Sequence, residues 1–138
     1  MAPEFIGFLA GELDTVVVRS YPLNDNFLHP IDSMIFTRTE TPGMYITSND
    51  TTFVALNHIS GPLKYIMPGH DWQIYLPAIN RTISFSAINS PRTHMHCFGD
   101  CWCVNPINSF VQDTALVVPG YARNPLMGGQ TYVVFIKR

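Results

Sequence analysis

Charge is what this sequence has least of. Asp, Glu, Lys and Arg make up 13% of its 138 residues, about half the ~25% of an ordinary soluble domain. Lys64 and Lys137 are its only lysines. There is no basic block and the formal net charge is −2, which argues against nucleic acid as a partner, because duplex binding needs a positive footprint. No run reaches the roughly 18 apolar residues of a helical membrane span, so no membrane partner is expected. Met1 to Leu13 lacks the basic start and long apolar stretch of a signal peptide. The reading that follows is a cytoplasmic protein or, if viral, a virion protein made in the host cytoplasm. Without a leader, the sequons at Asn49 and Asn80 read as chance matches. The three cysteines, all between positions 97 and 103, do not make a disulfide framework.

Where charge is missing, Thr, Ser, Asn and Pro must cover the outside. Such a surface forms hydrogen bonds without the desolvation cost of burying charge. The cores of protein interfaces are depleted in Lys, Glu and Asp for the same reason. A neutral surface therefore reads either as one meant to be covered or as that of an ordinary neutral β domain.

Eleven prolines and nine glycines cut the chain into strand-sized segments rich in Val, Ile, Thr, Phe and Tyr. Period two is clear in two of them. Trp72, Ile74 and Leu76 share one face, and so do Ile83, Phe85 and Ala87, with Thr82, Ser84 and Ser86 opposite. Further strands are expected at Thr15–Arg19, Met34–Thr39, Met44–Thr47, Thr52–Ile59, Lys64–Met67, Thr93–Phe98, Cys101–Val104, Ala115–Val118 and Thr131–Ile136. The last is apolar on both faces, as in a doubly covered strand. The expected fold is all-β: a single antiparallel β-sandwich, jelly-roll-like or barrel domain of about 8–11 short strands. Trp72, Ile83, Phe85, Trp102, Val133 and Phe135 are its expected core.

Helical spacing occurs once, at Phe5, Phe8, Leu9 and Leu13, interrupted by Gly7 and Gly11. Residues 1–13 are thus expected as an N-terminal arm or short helix ahead of a β domain over residues 14–138. A second helical turn is expected from Pro106 to Val111, and a long loop over residues 119–130.

The densest chemistry lies in Thr93–Val104, which holds His94, His96, Cys97, Cys101 and Cys103. A hairpin turning on Gly99-Asp100 would place His94, His96, Cys101 and Cys103 on one face, and Met95, Cys97, Trp102 and Val104 on the other. That set of four is a candidate zinc site. Against it stands the single residue between Cys101 and Cys103, where zinc sites space cysteines by two to four. A three-residue turn would set Cys97 opposite Cys101, as for a cross-strand disulfide. Plain packing is the third alternative.

His94-Met95-His96 resembles the paired histidines of metal-binding cupin barrels. The resemblance covers two residues, and Gly99 and Asp100 stand where a cupin would supply a glutamate. Gly128-Gly129-Gln130 is similar to the catalytic tripeptide of peptide-release factors, but the basic surface those proteins need is missing.

No phosphate loop, nucleophile elbow or paired-carboxylate motif is present. The expected function is therefore not enzymatic and needs no cofactor. It is that of a structural or interaction subunit of a larger assembly. In composition the chain resembles small β-sandwich and jelly-roll proteins of virus particles, such as capsid decoration and minor coat proteins. The expected partners are further copies of itself, or a larger protein lattice such as a capsid shell. The expected docking residues are Phe5, Phe8, Leu9 and Leu13, with Pro119, Tyr121, Leu126 and Met127. Two alternatives remain: a carbohydrate-recognition domain stacking sugars on Trp72, Trp102 and Tyr side chains, and a small metal-dependent barrel enzyme.

Overall fold

The alternating segments pair into two sheets. The computed structural model describes residues 2–39, 45–48, 51–54, 66, 68–90, 107–123 and 130–138. Their strands are β1 (Ala2–Ile6), β2 (Thr15–Tyr21), β3 (Asp32–Thr37), β4 (Tyr45–Ser48), β5 (Thr51–Val54) and β6 (Asp71–Leu76). There follow β7 (Arg81–Asn89), β8 (Ser109–Gln112), β9 (Ala115–Val117), β10 (Gly120–Arg123) and β11 (Gln130–Lys137). The helical elements among these residues are two short 3-10 turns, Ala10–Leu13 and Pro77–Ile79. None is long and apolar enough to cross a membrane.

One sheet has six strands in the order β3-β2-β6-β7-β8-β9, antiparallel throughout. The other has five, β10-β11-β1-β5-β4. Its inner faces and those of the six-stranded sheet meet in one core. Phe5, Val134 and Ile136 come from the five-stranded sheet; Val16, Val18, Phe36, Trp72, Ile74, Leu76, Ile83, Phe85 and Phe110 come from the other. The fold is an all-β sandwich. Full burial of each large apolar side chain contributes about 1.5–3 kcal/mol, so this core dominates the stability.

The five-stranded sheet departs from a purely antiparallel plan. β1 runs parallel to β11, with Glu4 registered against Phe135 and Phe5 against Ile136. Parallel neighbours require a long crossover. Here the connection is all the chain between β1 and β11.

The N-terminal residues are not a free arm, and the expected short helix is confined to the 3-10 turn Ala10–Leu13, after strand β1. β1 lies inside its sheet, between β11 and β5. Gly7 adopts φ +76 just after it, a conformation glycine tolerates without a Cβ penalty. Phe5, Phe8 and Leu13 are buried in the common core. A spacing of three, four and eight residues is thus met by a strand, a bend and a 3-10 turn in succession. A clasp holds them: the buried Glu12 carboxylate accepts the Leu9 N–H at 2.8 Å and an Arg138 Nη2 donor at 2.6 Å. The Arg138 N–H donates to the Ile6 carbonyl at 3.2 Å.

Three other expectations change. Residues 109–112 form strand β8 rather than a helical turn, because Phe110 then packs beside Phe85, ring centroids 5.9 Å apart. Part of the expected loop over 119–130 is strand β10, paired with β11. Ala87 points out rather than in: one extra residue enters β7 between Ser86 and Asn89, with Ala87 at φ +50. This bulge reverses the alternation and turns Ile88 toward the core instead. The segment 93–104, with the two strands expected there, lies outside the described residues, as do residues 55–59 and most of 64–67.

Candidate interaction surface

Of the residues expected at a docking surface, Leu9 alone of the N-terminal four is on the outside, 63% exposed. Phe5, Phe8 and Leu13 are inside the chain's own core, so the expectation of an apolar arm free to dock is corrected. Burial of Phe5 follows from its place in a central strand, and its ring meets that of Phe8 edge to face at 5.5 Å. Pro119 is half-buried after β9, and Tyr121 belongs to β10. Leu126 and Met127 lie outside the described residues, as do His94, His96, Cys101, Trp102 and Cys103.

Trp72, Ile83 and Phe85 are buried, and Trp72 is registered against Phe85. Trp72 therefore offers no open stacking platform for a sugar. Val133 is registered between Ala2 and Gly120 in the five-stranded sheet. Phe135, expected in the core, is 47% exposed. Its neighbours Val134 and Ile136 face inward, and period two sends Phe135 to the outer face. The double covering expected of the last strand is therefore incomplete at Phe135.

Beside Phe135 on the outer face stands Glu4, which is registered against Phe135 on one side and Phe53 on the other. Burial pushes the Glu4 carboxyl above the usual glutamate value of 4.5. A raised folded-state value means that the native chain holds this proton more tightly than the unfolded chain. Stability then falls as pH rises through the interval above 4.5. Glu4→Gln should accordingly raise the melting temperature at pH 7 and leave it unchanged well below pH 4.5. A melting temperature lowered at pH 7, or raised equally at both pH values, would contradict this electrostatic account.

The central strands of the six-stranded sheet carry polar pairs on their outer face. Tyr21 donates to Gln73 Oε1 at 2.9 Å, and Gln73 Nε2 donates to Ser84 Oγ at 3.4 Å. The Arg19 guanidinium lies 5.7 Å over the Tyr75 ring. Cross-strand pairs of this kind stabilise the sheet and leave a face able to hydrogen-bond a neighbour.

The loop between β2 and β3 is ordered by its acids. Asp25 accepts the N–H groups of Leu28 and His29 at 3.0 and 2.6 Å, and His29 Nδ1 lies 3.0 Å from its other oxygen. The His29 side chain first, and these backbone bonds, hold Asp25 below the usual 3.8. That contribution to stability is present above 3.8 and is lost as pH falls through the lowered value. The buried Asp71 reaches across from β6 to take the Asn24 N–H at 3.0 Å. The loop is therefore fixed while Leu23, Leu28 and Ile31 stand exposed on it. No family model, curated protein or solved structure matches this chain.

Both edge strands of the six-stranded sheet also carry exposed apolar side chains. Ile35 on β3 is 63% exposed; Leu116 on β9 and Val118 just after it are 74% and 75% exposed. Among the described residues no group of three or more His, Cys, Asp and Glu is placed to hold a metal ion. What these surfaces can do is bury apolar area and exchange neutral hydrogen bonds. The signal for them in the sequence was the shortage of charge, which carries no position.

Proposed function

We propose that this chain is a structural or interaction subunit of a larger protein assembly, acting through neutral surfaces and not through catalysis. The observation that supports it most is the exposure of large apolar side chains on the edge strands and on β11, in a chain with 13% charged residues. A free monomer normally uses charge to stay soluble and to break up apolar patches. Within this class, composition and the sandwich architecture favour a virion component, such as a capsid decoration or minor coat protein. That finer step rests on analogy of fold and composition. The partners it implies are further copies of the chain or a protein lattice.

Light scattering and native mass measurement on the full chain at tens of micromolar test the reading. The expected result is a discrete oligomer, or a complex with a co-purifying protein. Its affinity should change less than about threefold between low and high salt, since apolar burial and backbone hydrogen bonds are screened far less than exposed charge pairs. A strictly monomeric chain that captures no protein would remove the proposal.

A further inference from the structure

Among the described residues β9 is the last strand of its sheet, and this edge differs from the β3 edge. β8 and β9 are joined by the two-residue turn Asp113-Thr114, with Gln112 registered against Ala115. In such a hairpin the flanking pair exchanges both hydrogen bonds, and the bonded pairs then alternate. Phe110 and Val117 form the next bonded pair, whereas Val111 and Leu116 are a non-bonded one. The N–H and C=O of Leu116 consequently point away from β8, toward the side of β9 on which no described strand pairs. Leu116 and Val118 are also the two most exposed large apolar residues among those described.

Nothing in Ala115–Pro119 is ionisable. Natural edges are usually blunted by charge, proline or a bulge within the strand. The β3 edge shows such blunting: Asp32 folds back to take the Ser33 N–H at 2.8 Å, and Thr37 is already engaged. β9 has no comparable device before Pro119. A two-fold axis sets each residue against its own counterpart or a near neighbour. A charged edge would therefore repel itself, and an uncharged one can pair.

We propose that β9 is a self-pairing edge, to which a second copy of this chain adds its own β9 antiparallel about a two-fold axis at Leu116. Each Leu116 N–H then donates to the Leu116 carbonyl of the other copy. Thr114 stands opposite Val118, and Asp113 opposite Pro119, so no two carboxylates meet. The two six-stranded sheets become one continuous sheet. The inference rests on the subunit reading above and names the partner as the chain itself.

Two substitutions and one exchange measurement test it on the full chain. Leu116→Pro removes the outward N–H without touching a β8–β9 hydrogen bond, and Leu116→Lys sets two like charges at the axis. Each should weaken self-association by about a hundredfold or more, with the far-UV β signal retained. In the unmodified chain, amide exchange at Leu116 should slow as protein concentration rises. Concentration-independent exchange at Leu116 overturns the proposal even if neither variant folds. Folded variants with unchanged native mass overturn this edge and leave the subunit reading standing. A monomeric chain that captures a different protein also overturns self-pairing alone. A monomer that captures nothing overturns both.

Discussion

Phe5→Ala should destabilise the domain rather than release a partner. Phe5 is fully buried on β1, which is bonded on both sides, and its ring packs edge to face on Phe8. Truncation removes a large aromatic from the junction between the two sheets. The surrounding strands are tied by backbone bonds and cannot collapse fully into the space. The expected loss is about 3–5 kcal/mol, a large part of the roughly 5–15 kcal/mol available to a domain. Denaturant titrations at two protein concentrations check it. The loss should be the same at both, because the side chain is buried within one copy. A loss that appears only when the protein is dilute would return Phe5 to an interface, and a loss under ~1 kcal/mol would contradict the core assignment.

Trp72→Ala carries a comparable cost for a different reason, and it separates two functional readings. Trp72 lies in the middle of the six-stranded sheet, on the inner face with Ile74 and Leu76, and opposite Phe85. Its removal should cost about 3–5 kcal/mol. If Trp72 were a stacking platform for a sugar, the substitution would leave stability nearly intact and abolish glycan binding. Thermal melts together with a glycan-array assay distinguish the outcomes. A stable Trp72→Ala protein that has lost a saccharide ligand would falsify the packing account and revive the carbohydrate alternative.

The bulge in β7 marks the limit of reading alternation from one strand. Ile83 and Phe85 follow the pattern, and Ala87 does not. No residue in Arg81–Asn89 announces a bulge; glycine and proline are both missing there. The register change is set by β8, which meets β7 at Ser86 with Val111 and at Asn89 with Ser109. Phe135 teaches a similar lesson. Its segment is apolar on both faces, yet Val134 and Ile136 are buried while Phe135 is 47% exposed. A run of Val, Phe and Ile states that both faces prefer to be covered. It does not say whether the cover comes from the same chain.

Local chemistry by itself determined the all-β class, the strands at Thr15–Tyr21, Asp71–Leu76 and Arg81–Asn89 to within about two residues, and the inward placement of Trp72, Ile74, Leu76, Ile83 and Phe85. These follow from period two and β-branched composition, which act between near neighbours. The tertiary structure alone decided that Ala2–Ile6 is a strand, that it runs parallel to β11, and that Phe5 and Phe8 are core residues. Strand pairing joins residues more than a hundred positions apart, and no local pattern encodes such a partner. The same holds for the β9 edge. Leu116 is one more apolar residue in the sequence, and its significance comes from lying on the strand that ends its sheet among the described residues.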